Sequence, residues 1–132
     1  MKRNVFGFTL IEVVVVVAII GIIASIAWHL YIGQTTKQRR ADGVRGLMLA
    51  NQEMTQCKTD NATYTGCVLT NAFSPDGQYS MSVAITGGGD EFTLTATRTP
   101  AVDDECTALT LDHLGRKGYT GTAPSLKRCW GD

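Results

Sequence analysis

A chain of 132 residues has room for one ordinary domain, and an apolar N-terminal segment takes up part of that length. Twelve Lys and Arg balance twelve Asp and Glu, so the total charge indicates neither a nucleic acid nor an anionic surface as partner, and any such role depends on a local patch. With two histidines and no nucleophile motif or run of metal ligands, we expect neither a catalytic site nor a metal or other cofactor.

The N-terminal apolar segment is long enough to cross a bilayer, since residues 13–32 consist mostly of Val, Ile, Ala and Leu. An ordinary secretory signal is the alternative, with Lys2 and Arg3 as its charged region and a small-residue cleavage site at residues 25–27. More basic residues follow the segment than precede it, which favours a cytoplasmic domain. The four cysteines favour an oxidising compartment instead, so these general rules leave the orientation open.

The residues around the start of this segment follow a specific pattern. A short basic leader, residues 1–7, ends in glycine, and the next five residues, FTLIE, lead into the apolar run. This N-terminus resembles that of type IV pilins, which have a glycine, a hydrophobic first mature residue and a glutamate as the fifth mature residue. The resemblance implies that a prepilin peptidase cleaves between Gly7 and Phe8, that the new amine of Phe8 is N-methylated, and that residues 8–32 anchor the subunit in the inner membrane before they pack in a filament core. The remainder would be periplasmic, and extracellular once the pilus is assembled.

Glu12 is an acid at the head of an apolar run. An ionisable group at membrane depth costs about 2.5 to 3.5 kcal/mol on insertion scales, and it therefore usually has a partner and a function. Cleavage would create an amine on Phe8 within one helical turn of Glu12, or within reach of Glu12 on a neighbouring subunit, and such a pair is strong at low dielectric. We therefore expect Glu12 to set the register of subunit assembly. The alternative is that Glu12 lies at the headgroup level and is solvated.

Beyond the span, the helix is predicted to continue to near Cys57, because apolar residues recur at helical spacing on one face. This face comprises Val44, Leu47, Met48, Ala50, Met54 and Cys57. Gly43 and Gly46 each weaken a helix by about 1 kcal/mol relative to Ala, so this part of the helix must depend on packing against another element.

Three segments alternate apolar and polar residues, as expected of strands with one buried face: residues 79–86, 92–97 and 108–111. The glycines at 87–89 predict a hairpin loop between the first two strands, and residues 61–78 are predicted to be loop. The predicted fold class is α+β, with a long N-terminal α-helix, half membrane-spanning and half amphipathic, packed on a small antiparallel β-sheet.

The even number of cysteines, Cys57, Cys67, Cys106 and Cys129, favours two disulfides, and their spacing is unlike the close pairs of zinc sites, the alternative. Three connectivities are possible, and pairing Cys57 with Cys67 and Cys106 with Cys129 would join the helix end to the next loop and the C terminus to the third strand. The resemblance supports this pairing, because residues 106–130 look like the C-terminal half of PilE-like pilins, where the final cysteine closes a disulfide-bounded loop.

The predicted organisation is a prepilin leader at 1–7, a transmembrane and filament-core helix at 8–32 and a globular pilin head at 33–132. The resemblance, to type IVa pilins, implies a structural pilus subunit that serves pilus assembly, adhesion and twitching motility. Its partners would be other pilin subunits, the prepilin peptidase, the pilus assembly platform and, before assembly, the inner membrane. His29 stands where many pilins carry a proline, and together with the short head this favours a minor subunit over a major one.

Two alternative functions share this N-terminus. A competence pilin would act as a DNA receptor for uptake, and four cations near Tyr119 and Trp130 form a candidate patch for phosphates or bases. The patch comprises Arg116, Lys117, Lys127 and Arg128. Pairing with nearby acids would neutralise it, and these acids are Asp103, Asp104, Glu105, Asp112 and Asp132. The other alternative is a pseudopilin of type II secretion, although the head has no evident calcium-binding loop beyond the acids at 103–105.

Overall fold

The computed structural model describes residues 7–100, 103 and 105–131. Within them lie, in chain order, α1 (Leu10–Asn61), β1 (Tyr79–Thr86), β2 (Glu91–Arg98), β3 (Ala108–Asp112), β4 (Lys117–Thr120) and α2 (Leu126–Trp130). Most of the predicted leader lies outside the described residues, as do Asp104 and Asp132 and the side chain of His29. The chain divides into two compact units, Met1–Thr35 and Thr36–Asp132.

In the first unit, α1 begins at Leu10, where the side chain of Thr9 accepts a hydrogen bond from the backbone N–H of Glu12 at 3.3 Å. This contact satisfies one of the backbone donors that a helix leaves open at its start. The helix is long and apolar enough to cross a membrane, by length and composition. Its large apolar side chains that the structure describes in this unit are exposed, among them Ile11 and Val17 at 67% and 62%.

The second unit contains a four-stranded antiparallel sheet in the order β1-β2-β3-β4. The three predicted strands and their antiparallel arrangement are confirmed, and the predicted α+β fold with them. The sequence patterns did not predict β4 or α2. The helix was expected to end near Cys57 and continues to Asn61.

One face of the sheet packs against the part of α1 in this unit and forms the core. Leu47 and Met54 of α1 are fully buried, as are Leu94 of β2 and Leu109 of β3. Met48 was predicted to lie on the packed face of the helix, and this prediction is wrong, because its side chain is 44% exposed. Met48 lies about 100° around the helix from Leu47, which places it beyond the stripe that the sheet covers.

The two helix glycines are explained by how closely β1 and its preceding loop approach α1. A Cβ at Gly43 would lie 2.9 Å from the ring of Tyr79, and a Cβ at Gly46 would lie 3.1 Å from the side chains of Ser74 and Met81. The packing expected for this part of the helix is therefore a direct contact of Tyr79, Ser74 and Met81 with the helix backbone at Gly43 and Gly46. Only glycine, which has no side chain, allows so close an approach.

Candidate nucleic-acid interface

Two disulfides hold the second unit. Cys57 at the end of α1 pairs with Cys67 across Cα atoms 6.1 Å apart, and Cys106 pairs with Cys129 of α2 across 5.7 Å. The second disulfide encloses β3, β4 and the start of α2, so it bounds the C-terminal segment that contains the candidate cations.

A buried arginine on α1 supports this C-terminal segment. Arg40 is 7% exposed, and its guanidinium donates to both carboxylate oxygens of Asp103 at 2.6 and 2.7 Å. The same guanidinium donates to a carboxylate oxygen of Glu105 at 2.9 Å and to the backbone carbonyl of Arg128 at 3.1 Å. One side chain thus connects α1, the segment before β3, and α2.

This network determines the charge states of its acids. Hydrogen bonds from Arg40 hold the pKa of Asp103 below its usual value against the opposing effect of burial. Hydrogen bonds from Arg128 and Arg40 lower the pKa of Glu105 to about 2. Both acids are therefore anionic at neutral pH. The guanidinium of Arg40 is occupied by hydrogen-bond partners within the fold.

A buried aspartate fixes the loop on the other side of the helix. Asp42 is 1% exposed, and its carboxylate accepts hydrogen bonds from the hydroxyl of Ser74 at 2.5 Å and from the backbone N–H groups of Asp76 and Gln78 at 2.9 and 3.3 Å. The hydroxyl of Ser74 in turn accepts from the backbone N–H of Tyr79 at 2.9 Å. The turn before β1 is thereby held against α1, and Asp42 is not available to neutralise surface cations.

The β3–β4 turn places the first of the candidate cations. The backbone N–H groups of Leu114 and Arg116 donate to one carboxylate oxygen of Asp112 at 3.0 and 2.8 Å, and Nε of Arg116 donates to the other at 2.5 Å. Although burial opposes it, these hydrogen bonds hold the pKa of Asp112 below its usual value. The side chain of Arg116 is 72% exposed.

The other three candidate cations lie on β4 and on α2 beside it. Lys117 Nζ stands 5.2 Å from the ring centroid of Trp130, and Nε1 of that indole donates to the carbonyl of Gly118 on β4 at 2.9 Å. Arg128 donates through Nε and Nη2 to the carboxylate of Glu105 at 2.9 and 3.0 Å. Lys127 is exposed, and no acid in the described part of the chain lies within ion-pair distance of it.

The four cations therefore lie along the edge that β4 and α2 form, which we call the basic edge: Arg116, Lys117, Lys127 and Arg128. Between 105 and 131, these four positive charges stand against Glu105 and Asp112, an excess of two. Among the described residues the expected neutralisation is partial, because two arginines have acid partners and Lys127 has none there.

The N-terminal site residues lie in the first unit. Gly7 has open space around the position of a Cβ, and Phe8 is 85% exposed. Glu12 is exposed in the first turn of α1. The expected roles of these residues in cleavage, methylation and register remain predictions, as does any DNA contact of the basic edge.

Comparison with known proteins gives two family matches and a similar structure. Residues 30–110 match a family described as the type IV minor pilin ComP, DNA uptake sequence receptor, and residues 2–28 match the prokaryotic N-terminal methylation motif. The chain is also similar to a solved type IV pilin from Shewanella oneidensis, at 31% identity and a TM-score of 0.51, over 61% of this chain and 86% of that one. The first match ends at residue 110, before the cations of the basic edge.

Proposed function

We propose that this chain, which belongs to the family of type IV minor pilins described as the DNA uptake sequence receptor ComP, is a pilus subunit that captures DNA for uptake. The family match carries this proposal, since it covers 81 residues, from 30 to 110. It favours the competence alternative over the general expectation of a subunit for adhesion and twitching motility. The type II secretion pseudopilin is the less favoured alternative, because both the family and the similar structure are described as pilins.

Filament membership is the part of the function that this chain shares with other pilins. The methylation-motif match and the apolar helix fit a membrane-anchored pilin, later assembled into a pilus. We propose cleavage after Gly7, methylation of Phe8, and a head that faces the periplasm before assembly. Glu12 would then pair with a Phe8 amine across the subunit contact and set the register of the filament.

The electrostatics of the mature chain require a local DNA site. Removal of residues 1–7 takes away Lys2 and Arg3, which leaves ten basic and twelve acidic side chains, a net charge of −2 before the termini are counted. A chain with this balance gains no long-range attraction to DNA from its total charge. A contact must therefore use a surface with a local positive excess, and residues 105–131, which contain the basic edge, have two more cations than acids.

Within the basic edge, Lys127 is the cation most available to phosphates. Arg128 already donates two hydrogen bonds to Glu105, so a phosphate would have to compete with a carboxylate for its guanidinium. Lys127 faces no such competition from the described acids, and Lys117 is held over the Trp130 ring on the same edge. Each phosphate contact lowers the logarithmic salt slope by about 0.9, so two lysines would give a slope of about −1.8 and all four cations about −3.6.

Equilibrium binding of a labelled duplex to the mature full-length chain in detergent micelles tests the proposal. We expect affinity to fall with salt at a slope between these limits, and Lys127→Gln to reduce the magnitude of the slope by about 0.9. Lys58→Gln is the control, because Lys58 is also a lysine but stands beside Asp90 and the Tyr64 ring rather than on β4 or α2. Absence of duplex binding at low salt would contradict the function. An equal effect of both variants would contradict the assignment to the basic edge.

A further inference from the structure

We propose that the turn between β3 and β4, residues 112–116, enters the major groove of duplex DNA and distinguishes base pairs through Arg116 and Leu114. We call this turn the tip. The inference rests on the proposed DNA-binding function and adds the element that reads sequence, whereas the lysines of the basic edge hold the phosphates.

The tip exposes side chains that the fold does not use. Leu114 is 65% exposed and stands outside the hydrophobic core. The guanidinium of Arg116 has one partner among the described residues, Asp112, and the hydrogen bond to it comes from Nε. Its two terminal amino groups donate to no described residue, so they are available to a ligand.

The tip is held in one conformation by its own hydrogen bonds. Besides the three that the Asp112 carboxylate accepts, the Gly115 N–H donates to the Asp112 carbonyl at 2.9 Å, and the Asp112 N–H donates to the Arg116 carbonyl at 3.2 Å. Gly115 has φ +76, a left-handed conformation that favours glycine. The tip is also attached to β2, because the His113 N–H donates to the Phe92 carbonyl at 3.0 Å. An exposed leucine and arginine are thus presented on a preorganised scaffold, which reduces the entropy lost on binding.

The chemistry of these two side chains matches base edges in the major groove. A two-stranded β-ribbon fits this groove, where arginine donates in a bidentate fashion to O6 and N7 of guanine and apolar side chains contact the thymine methyl group. The terminal amino groups of Arg116 supply the donors and Leu114 supplies the apolar contact. The tip therefore suits a duplex that carries a guanine close to a thymine.

The charge layout at this end of the sheet determines how the duplex approaches. The antiparallel register places the β1–β2 and β3–β4 turns at the same end, and the former carries Asp90 and Glu91. Asp90 has Lys58 at 3.8 Å, whereas Glu91 has no ion pair to a described cation. These acids repel phosphates on the β1–β2 side, and the basic edge attracts them on the β4 side. A duplex that lies along the basic edge brings its groove to the tip.

Selection from a pool of random duplexes, followed by affinity measurements on selected and scrambled sequences, tests this proposal with the mature full-length chain. We expect the native chain to prefer selected duplexes. Arg116→Lys, which keeps the charge but loses the planar fork, and Leu114→Ser should each lower the ratio of specific to random affinity about tenfold. Affinity for random duplex should change less than threefold. Arg45→Lys and Val68→Ser are the matched controls, since they alter an exposed arginine and an exposed apolar residue outside the tip.

The outcomes separate the tip from the function it serves. A native chain that binds all duplexes equally, or tip variants that keep the native ratio while both disulfides are formed, would overturn the tip proposal and leave DNA binding intact. A native chain that binds no duplex would overturn both proposals. If Leu114→Ser instead lowers the number of assembled pili at an unchanged affinity ratio, the tip is a subunit contact and the proposal is wrong.

Discussion

Replacing Arg40 with methionine is expected to destabilise the head more than any change to an exposed cation. The substitution keeps an unbranched apolar stem and removes the guanidinium that Asp103, Glu105 and the Arg128 carbonyl share. The side chains of Arg40 and Asp103 are only 9% and 8% exposed, so Asp103 would be left as a largely buried, unpaired carboxylate. Breaking such a pair from one side costs about 3 to 5 kcal/mol.

This loss is large compared with the total stability of a single domain, which is about 5 to 15 kcal/mol. For a head of this size, each kcal/mol corresponds to about 4 to 8 °C in melting temperature, so we expect a decrease of at least about 12 °C. The assay is thermal unfolding of the full-length chain in detergent, followed by near-ultraviolet circular dichroism. Arg39→Met is the matched control, because Arg39 is exposed on the same helix and should change stability by less than about 0.5 kcal/mol.

A second variant distinguishes the unpaired charge from lost packing. In Arg40→Met combined with Asp103→Leu, no buried carboxylate is left without a partner, and replacement of a buried ion pair by apolar groups is often neutral. We therefore expect the double variant to recover most of the loss. A decrease of under 1 kcal/mol for Arg40→Met, or a double variant that is less stable than both single variants, would refute the assigned role of Arg40.

Three further predictions follow from the described contacts. The folded-state pKa values of Asp103 and Glu105 are lowered, so the stability that these acids contribute is present above their unfolded-state pKa values and is lost as pH falls from about 4.5 towards 2. The melting temperature should therefore decline over this window, and a flat profile would disprove the coupling. Gly43→Ala should destabilise by about 1 to 2 kcal/mol despite its better helix propensity, because the new Cβ would meet the buried Tyr79 ring at 2.9 Å; an increase in denaturation midpoint would show that the ring yields. Glu12→Ala should leave the head and both disulfides unchanged while reducing incorporation into filaments, and native levels of assembly would exclude the proposed pairing.

The elements that the sequence predicted correctly are those with a clear local period. The alternation in 79–86 and 92–97 predicts an inward face on each strand, and that face is buried on β2 and partly buried on β1. By contrast, β4 has the sequence KGYT, with a central glycine and no apolar alternation, and it forms because β3 offers it a hydrogen-bonding edge. A strand whose existence depends on its neighbour leaves no signal in its own residues.

The residues that support the site were missed because their partners are distant in sequence. Arg40 and Asp42 look like ordinary polar positions of an amphipathic helix, yet Arg40 pairs with an acid 63 positions away and Asp42 with a serine 32 positions away. The same limit applies to the candidate patch. The sequence showed four cations and several acids, and only the fold showed that Glu105 serves both Arg40 and Arg128 and leaves Lys127 without an acid among the described residues.

The central claim, that this minor pilin captures DNA through its basic edge, is tested most directly by DNA uptake in cells that carry the chain as their only copy. The variant to compare with the native chain is the triple substitution Lys117→Gln, Lys127→Gln and Arg128→Gln, with pilus number and both disulfides measured in parallel. The account predicts a loss of uptake of at least tenfold with pili and disulfides unchanged. Native uptake by the triple variant at native protein levels would contradict it.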